Sequence, residues 1–196
     1  MDEKGYVKFK YHWIKAKLNL NIRQLNHWRA KLYRLGLIGA NTDGIGFGNI
    51  SQRIKKQEFI ITGSGTGGLP LLNKNHYTIC SKCDIKHNTV ICRGPIIASS
   101  ESMTHSAIYK FLPDINAVIH VHNRPGWKRL LNKIPTASAS AQYGTPELAY
   151  EIKRLLEKTD LKEKKIFVTA GHIEGIFSFG RDIQEAGEVL LRALEI

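Results

Sequence analysis

Residues 99–122, SSESMTHSAIYKFLPDINAVIHVH, constrain the fold of this chain more than any other stretch. Within it, Ala117-Val118-Ile119 is a run of apolar, strand-forming residues that ends in His120-Val121-His122. On a strand, residues two apart point to the same side, so both imidazoles face one way. Two neutral imidazoles on one face are how a sheet presents a pair of ligands to a divalent metal, most often zinc. Upstream, Glu101 follows two serines and precedes residues 103–112, whose apolar spacing is helical. A carboxylate beside a metal pocket serves as ligand, general base or both. His-x-His also occurs by chance, and its plain reading is two histidines on a strand. The Ser-Ser-Glu upstream and a histidine-bearing turn near residue 172 are what turn the pattern toward chemistry.

The chain has 196 residues, enough for one domain with a sizeable core, and no linker, repeat or composition shift divides it. No apolar run approaches a membrane span, and the first residues lack the apolar core of a signal peptide, so a cytoplasmic protein is expected. The net charge of +12 favours anionic partners, among them phosphorylated metabolites, nucleic acid and acidic surfaces. The basic residues are dispersed, with Lys162 to Lys165 broken by Glu163, and no nucleic-acid motif accompanies them. A solvated lysine-rich surface fits better than a nucleic-acid face.

Cys80, Cys83 and Cys92 fall in a short window with His87 between them, a spacing that a small zinc knuckle also uses. Residues 77–79 and 88–91 instead read as two strands joined by the polar turn 81–87, where cysteine acts as a small apolar residue. An odd thiol count in a cytoplasmic chain argues against disulfides.

Residues 14–37 carry helical periodicity, with Gly36 and Gly39 as stop signals; the first dozen residues read as extended and aromatic. A glycine-dense turn, residues 43–48, enters a strand, and Lys55-Lys56-Gln57 turns it into a second, residues 59–62. That strand empties into Gly63-Ser64-Gly65-Thr66-Gly67-Gly68, which is either a phosphate cradle or a flexible surface loop. It lacks the Gly-Lys-Ser/Thr of a nucleotide loop. Residues 135–143 are small and polar, an irregular segment near the pocket. Thr145-Pro146-Glu147 opens a helix to about residue 158, residues 166–169 and 176–179 are strands, and residues 183–194 form a last amphipathic helix. Strands and helices alternate along one chain, the pattern of a single α/β domain.

Taken together, these residues resemble the class II aldolase/adducin family. The match runs from about residue 35 to the C-terminus, with residues 1–34 less clearly matched. It rests on Gly48-Asn49-Ile50-Ser51-x-Arg53, Thr62-Gly63-Ser64-Gly65, Ser99-Ser100-Glu101, His120-x-His122 and the final strand–turn–helix. The resemblance implies one α/β domain with a central, mainly antiparallel sheet flanked by helices, a divalent metal (usually zinc) and a homo-oligomer, often a tetramer. It implies an enediolate stabilised beside a carbonyl, on a small phosphorylated sugar. By resemblance, Gly48, Asn49, Ser64, Gly65, Ser99 and Ser100 hold the substrate phosphate, Glu101 transfers the proton, and His120 and His122 are metal ligands.

The family's third metal histidine directly precedes a glycine, where this chain has Glu174; His172 lies two residues earlier. In an extended segment both point to one face. His172 is the expected ligand, because three imidazoles suit zinc and leave Glu174 to support them. No tyrosine matches the one that family aldolases use, Tyr143 belonging to a different part of the pattern. The leading expectation is a zinc-dependent aldolase-type lyase acting on a small phosphorylated sugar or hydroxy-carbonyl compound. A dehydratase or epimerase on the same scaffold, or a non-catalytic adducin-like binding module, are the alternatives.

Overall fold

The computed structural model describes residues 7–196. The expected extended, aromatic N-terminus lies partly in residues 1–6, outside the described residues. From there it is strand β1 (Lys10–Lys15), and α1 follows at Arg23–Arg34. The helix is shorter than the periodicity predicts because Ile14 belongs to β1 and Leu18 and Ile22 are buried from non-helical backbone. Asn21 Oδ1 accepts from Arg23 N at 3.0 Å where α1 begins, and Gly36 at φ +69° ends it.

The glycine-dense turn makes a small hairpin, β2 (Gly39–Ala40) with β3 (Gly46–Phe47). Strands β4 (Asn49–Lys55) and β5 (Glu58–Thr62) follow, then β6 (Tyr77–Asp84) and β7 (Thr89–Gly94). Helix α2 (Ser102–Phe111) leads into β8 (Ala117–His122), α3 (Arg124–Leu130) and the two-residue β9 (Thr136–Ala137). Helices α4 (Pro146–Lys158) and α5 (Leu161–Lys164), the pair β10 (Ile166–Thr169) and β11 (Gly175–Gly180), and α6 (Ile183–Leu194) complete the chain. Thr145 precedes α4 as expected, yet its hydroxyl donates to Gln142 O at 2.8 Å and does not cap. Asp182 does cap α6, accepting from Glu185 N at 2.8 Å.

Nine strands form one sheet in the order β1-β7-β6-β5-β4-β8-β11-β10-β9, antiparallel except for β1 with β7 and β9 with β10. Helices cover both faces, as the mainly antiparallel α/β reading requires. Alternation along β8 assigns the faces. Ala117, Ile119 and Val121 pack with Leu25, Trp28 and Leu32 of α1 and Leu190 of α6. Val118 packs with Met103 and Ile108 of α2 and Ile152 of α4. His120 and His122 share the α2 side of the strand with Val118. Burying each large apolar side chain contributes about 1.5–3 kcal/mol, and both faces of β8 are covered, so a one-residue slip would turn Ile119 and Val121 to the α2 side and drive the two imidazoles into the core under α1 and α6.

The hairpin expected around the cysteines is present with longer strands than the sequence suggests: β6 runs to Asp84, so Cys83, expected in the turn 81–87, lies on the strand. Cys80 pairs with Cys92 and Cys83 with Val90, and a bulge between Cys80 and Lys82 turns both β6 thiols to the α2 side. Cys80 and Cys92 are buried, and His87 bonds Asp84 at 2.9 Å. The zinc-knuckle alternative is overturned: the thiols fill core, and among the described residues the histidine trio is the group with metal-binding geometry.

Candidate metal centre and substrate cavity

Strand register builds the centre. Asn49 on β4 and Phe177 on β11 are the neighbours of His120 on β8, and Gly175 is the neighbour of His122. The Phe177 ring stacks on His120 at 4.2 Å between centroids, and Phe47 stacks on His122 at 5.1 Å. The turn between β10 and β11 brings His172 across, its backbone fixed by Gly175 N–H to His172 O at 3.0 Å and Thr169 Oγ1 to the same oxygen at 2.9 Å. A side chain at Gly175 would collide with Thr169 Oγ1 at 2.6 Å and His172 Cδ2 at 2.7 Å, so the turn needs glycine there.

The ligand nitrogens of His120, His122 and His172 lie within 4.8 Å of one another. Burial lowers all three pKa values, to about 4 for His122, to about 3 for His172, and well below the ordinary value for His120. Each neighbouring imidazole adds to the penalty on His120, and His122 and Lys8 add to it on His172. The three rings are therefore neutral at physiological pH, the state a metal takes. His120 Nε2 is buried without a protein partner, a lone nitrogen that a bound metal would satisfy.

Asn49 supports the same fit. Its amide meets His120 Nδ1 at 3.2 Å while its Oδ1 is buried and unpartnered. A half-turn of that amide puts Oδ1 against Nδ1, which then carries the ring proton and leaves Nε2 with a bare lone pair. Three neutral imidazoles whose ligand nitrogens cluster this closely fit a divalent cation such as zinc.

Glu101 sits at the N-cap of α2, 2% exposed. Thr104 Oγ1 donates to its Oε2 at 2.7 Å, while Oε1 has no partner and lies 3.9 Å from His172 Nδ1. Burial pushes its pKa up to about 7, against the pull of the Thr104 hydrogen bond and of Lys8. A cavity of about 510 Å³ opens onto this carboxyl and the imidazoles. Its walls bring together every residue singled out from the sequence: Gly48, Asn49, Ser64, Gly65, Ser99, Ser100, Glu101, His120, His122 and His172. Residues 63–67 of the glycine-rich segment thus face the cavity.

Two placements differ from the expectation. The segment after β10 is a turn, so His172 and Glu174 do not share a face. Glu174, at φ +74°, turns to Arg124 at 3.7 Å and joins the rim, while His172 alone enters the cluster. Tyr143 also belongs to the cavity, its ring edge-on to His172 at 4.8 Å with Lys8 Nζ 4.0 Å from its centroid. Sequence spacing could not find it, because the contact is made across the fold; the small, polar run around it was the one signal. Phe47 and Arg124 were missed for the same reason.

The sequence model of the Class II Aldolase and Adducin N-terminal domain matches residues 30–194. Comparison with curated proteins gives no match. Among solved structures, an L-fuculose 1-phosphate aldolase aligns at a TM-score of 0.67 and 23% identity, covering 91% of this chain and 84% of that one. L-fuculose-1-phosphate aldolase from Thermus thermophilus aligns at 0.62 and 22%, covering 87% of each chain. A sugar-phosphate aldolase from Thermotoga maritima aligns at 0.63 and 20%, covering 89% of this chain and 91% of that one. At these identities the structures establish the shared fold, and the family match supplies the rest: the chain belongs to the class II aldolase and adducin N-terminal domain family.

Proposed function

We propose that the chain is a divalent-metal-dependent lyase of the aldolase type, acting on a small phosphorylated sugar or related hydroxy-carbonyl compound through an enediolate. One observation carries the reading. Three neutral imidazoles converge beside a buried carboxyl whose Oε1 is unpartnered and faces the same cavity. Zinc is the first choice of metal because the donor set is three nitrogens; bound there, it would supply stabilisation for the negative charge that develops on substrate oxygen.

His120, His122 and His172 hold the metal, and Asn49 and Phe177 fix the His120 ring. Glu101 carries the proton: Thr104 anchors Oε2, so Oε1 is the atom that takes it up and returns it. A carboxyl near pH 7 does both at neutrality. Gly48, Asn49, Ser64, Gly65, Ser99 and Ser100 line the cavity and hold the phosphate through hydroxyls and backbone N–H groups. The intact ligand trio favours catalysis over an adducin-like binding role. A homo-oligomer, tetrameric by resemblance, working in the cytoplasm completes the proposal.

The test is a screen of phosphorylated ketoses with metal-loaded protein, scored for carbon–carbon cleavage and, in parallel, for dehydration and epimerisation. Cleavage that a chelator abolishes and added zinc restores is the expected result. Full activity in Glu101→Ala would remove that residue from the mechanism, and products of dehydration or epimerisation alone would replace the lyase with those reactions.

A further inference from the structure

Arg29 is 1% exposed and makes no carboxylate contact among the described residues. A buried guanidinium is costly unless its N–H groups are taken up. Backbone carbonyls of one loop take them. Nη2 donates to Thr66 O and Gly67 O, each at 2.8 Å, and Nη1 donates to Pro70 O at 3.3 Å and to Leu69 O. Tyr33, whose ring lies 4.9 Å from the guanidinium, donates from Oη to Gly68 O at 3.3 Å. Carbonyls from Thr66 through Pro70 are thereby all turned toward α1.

A trans peptide points its N–H opposite to its C=O. Holding the Thr66 and Gly67 carbonyls on Arg29 therefore turns the Gly67 and Gly68 N–H groups away from it. Among the described residues, the N–H groups of Gly65, Thr66, Gly67 and Gly68 donate to no protein acceptor, whereas Ser64 N–H donates to Ile97 O at 2.9 Å. Thr66 and Gly67 are buried, where an unsatisfied N–H is costly, and Gly65 adopts φ +73° with open space beside it. Residues 63–67 all line the cavity. Successive unpaired N–H groups on a cavity wall make a cradle for an oxyanion.

We propose that Arg29 is a positioning residue for the phosphate end of the substrate: without reaching the cavity, it holds the Thr66–Gly67 and Gly67–Gly68 peptide planes so that the loop keeps the N–H groups of Gly65, Thr66 and Gly67 free to receive the anion. The identity of that anion rests on the proposed function; the geometry of the loop does not. The family match begins at residue 30, so Arg29 lies just outside the part of the chain that the family describes.

The test titrates inorganic phosphate into metal-loaded, ¹⁵N-labelled full-length protein and follows the Gly65 and Gly67 amide signals. A lysine ammonium is a compact point charge that cannot span the same carbonyls. Arg29→Lys is expected to weaken phosphate binding at these amides about tenfold at unchanged metal content, and to raise KM more than it lowers kcat. A folded Arg29→Lys variant with wild-type phosphate affinity overturns the inference. If that variant does not fold, the wild-type titration decides: phosphate that saturates the protein without shifting the Gly65 and Gly67 amide signals overturns the inference equally. Wild-type protein that fails to bind phosphate contradicts the proposed function as well, which separates the two failures.

Discussion

His122 Nε2 and His172 Nε2 lie 2.7 Å apart although 50 residues separate them in the chain. Two bare lone pairs at that distance repel, so the metal-free pair is satisfied by one N–H···N bond between neutral rings. A metal that replaces this bond needs no net loss of protons from the imidazoles.

Metal uptake should therefore depend weakly on pH until the rings begin to charge. With folded-state values of about 4 for His122 and about 3 for His172, the imidazoles are expected to add no pH dependence above about pH 5, so the dependence that remains there comes from Glu101. Glu101, near 7, is half protonated at neutrality, and an approaching dication favours its charged form. Calorimetry in buffers of different ionisation enthalpy should find a fraction of a proton released at pH 7 by wild-type protein. Glu101→Gln should release almost none, and an equal release from both would contradict the assignment.

The same carboxyl sets a stability signature. Its folded pKa of about 7 lies above the ordinary value of 4.5, so between those values the folded state binds more protons and stability falls as pH rises. Glu101→Gln removes that loss. The metal-free variant should exceed wild type in stability at pH 8, with the difference shrinking to its limiting value below about pH 4.5. Denaturant melts at the two pH values measure it, and a difference that grows toward acid pH would mean that burial does not raise this pKa.

Asn49 meets His120 Nδ1 at 3.2 Å and fixes which ring nitrogen carries the proton. Asn49→Leu leaves the ring without that partner and is expected to lower metal affinity about 10–100-fold. Asn49→Asp keeps an acceptor and should retain more of it. Competition with a chromogenic chelator separates the variants.

Gly48 links the small hairpin to the strand beside the centre at φ +75°. A Cβ there would stand 2.7 Å from Ile38 Cγ1 and 3.2 Å from His120 O. Gly48→Ala combines backbone strain with overpacking and should cost about 1–3 kcal/mol, lowering Tm by roughly 3–10 °C. An unchanged Tm would mean that the hairpin shifts freely.

Local patterns made part of this structure legible. His120-x-His122 needs only a strand, and the apolar run before it specifies one. Pro146 with Glu147 in the first turn, and the amphipathic periodicity of Ile183–Leu194, place those helices because both signals are local, even though Thr145 does not cap the first. Long-range partners were not legible. β1 is a strand because it pairs in parallel with β7, about 80 residues away; the extended reading of the first dozen residues reaches its start, but the helical periodicity read from residue 14 overruns its end. α3 hides behind Arg124-Pro125-Gly126 until Asn123 is seen accepting from Gly126 N at 2.7 Å. The separation of His172 from Glu174 depends on a positive φ at glutamate, which strand alternation cannot anticipate.

A metal held by three imidazoles is the core of the account, and metal content tests it most directly. Protein purified without chelators and analysed for bound metal should carry about one equivalent of divalent metal per chain, matching the three-histidine centre found among the described residues. His172→Ala should lose most of it, as should His120→Ala with His122→Ala, while Glu174→Gln should keep it. Full occupancy in His172→Ala, with metal lost in Glu174→Gln, would contradict the account.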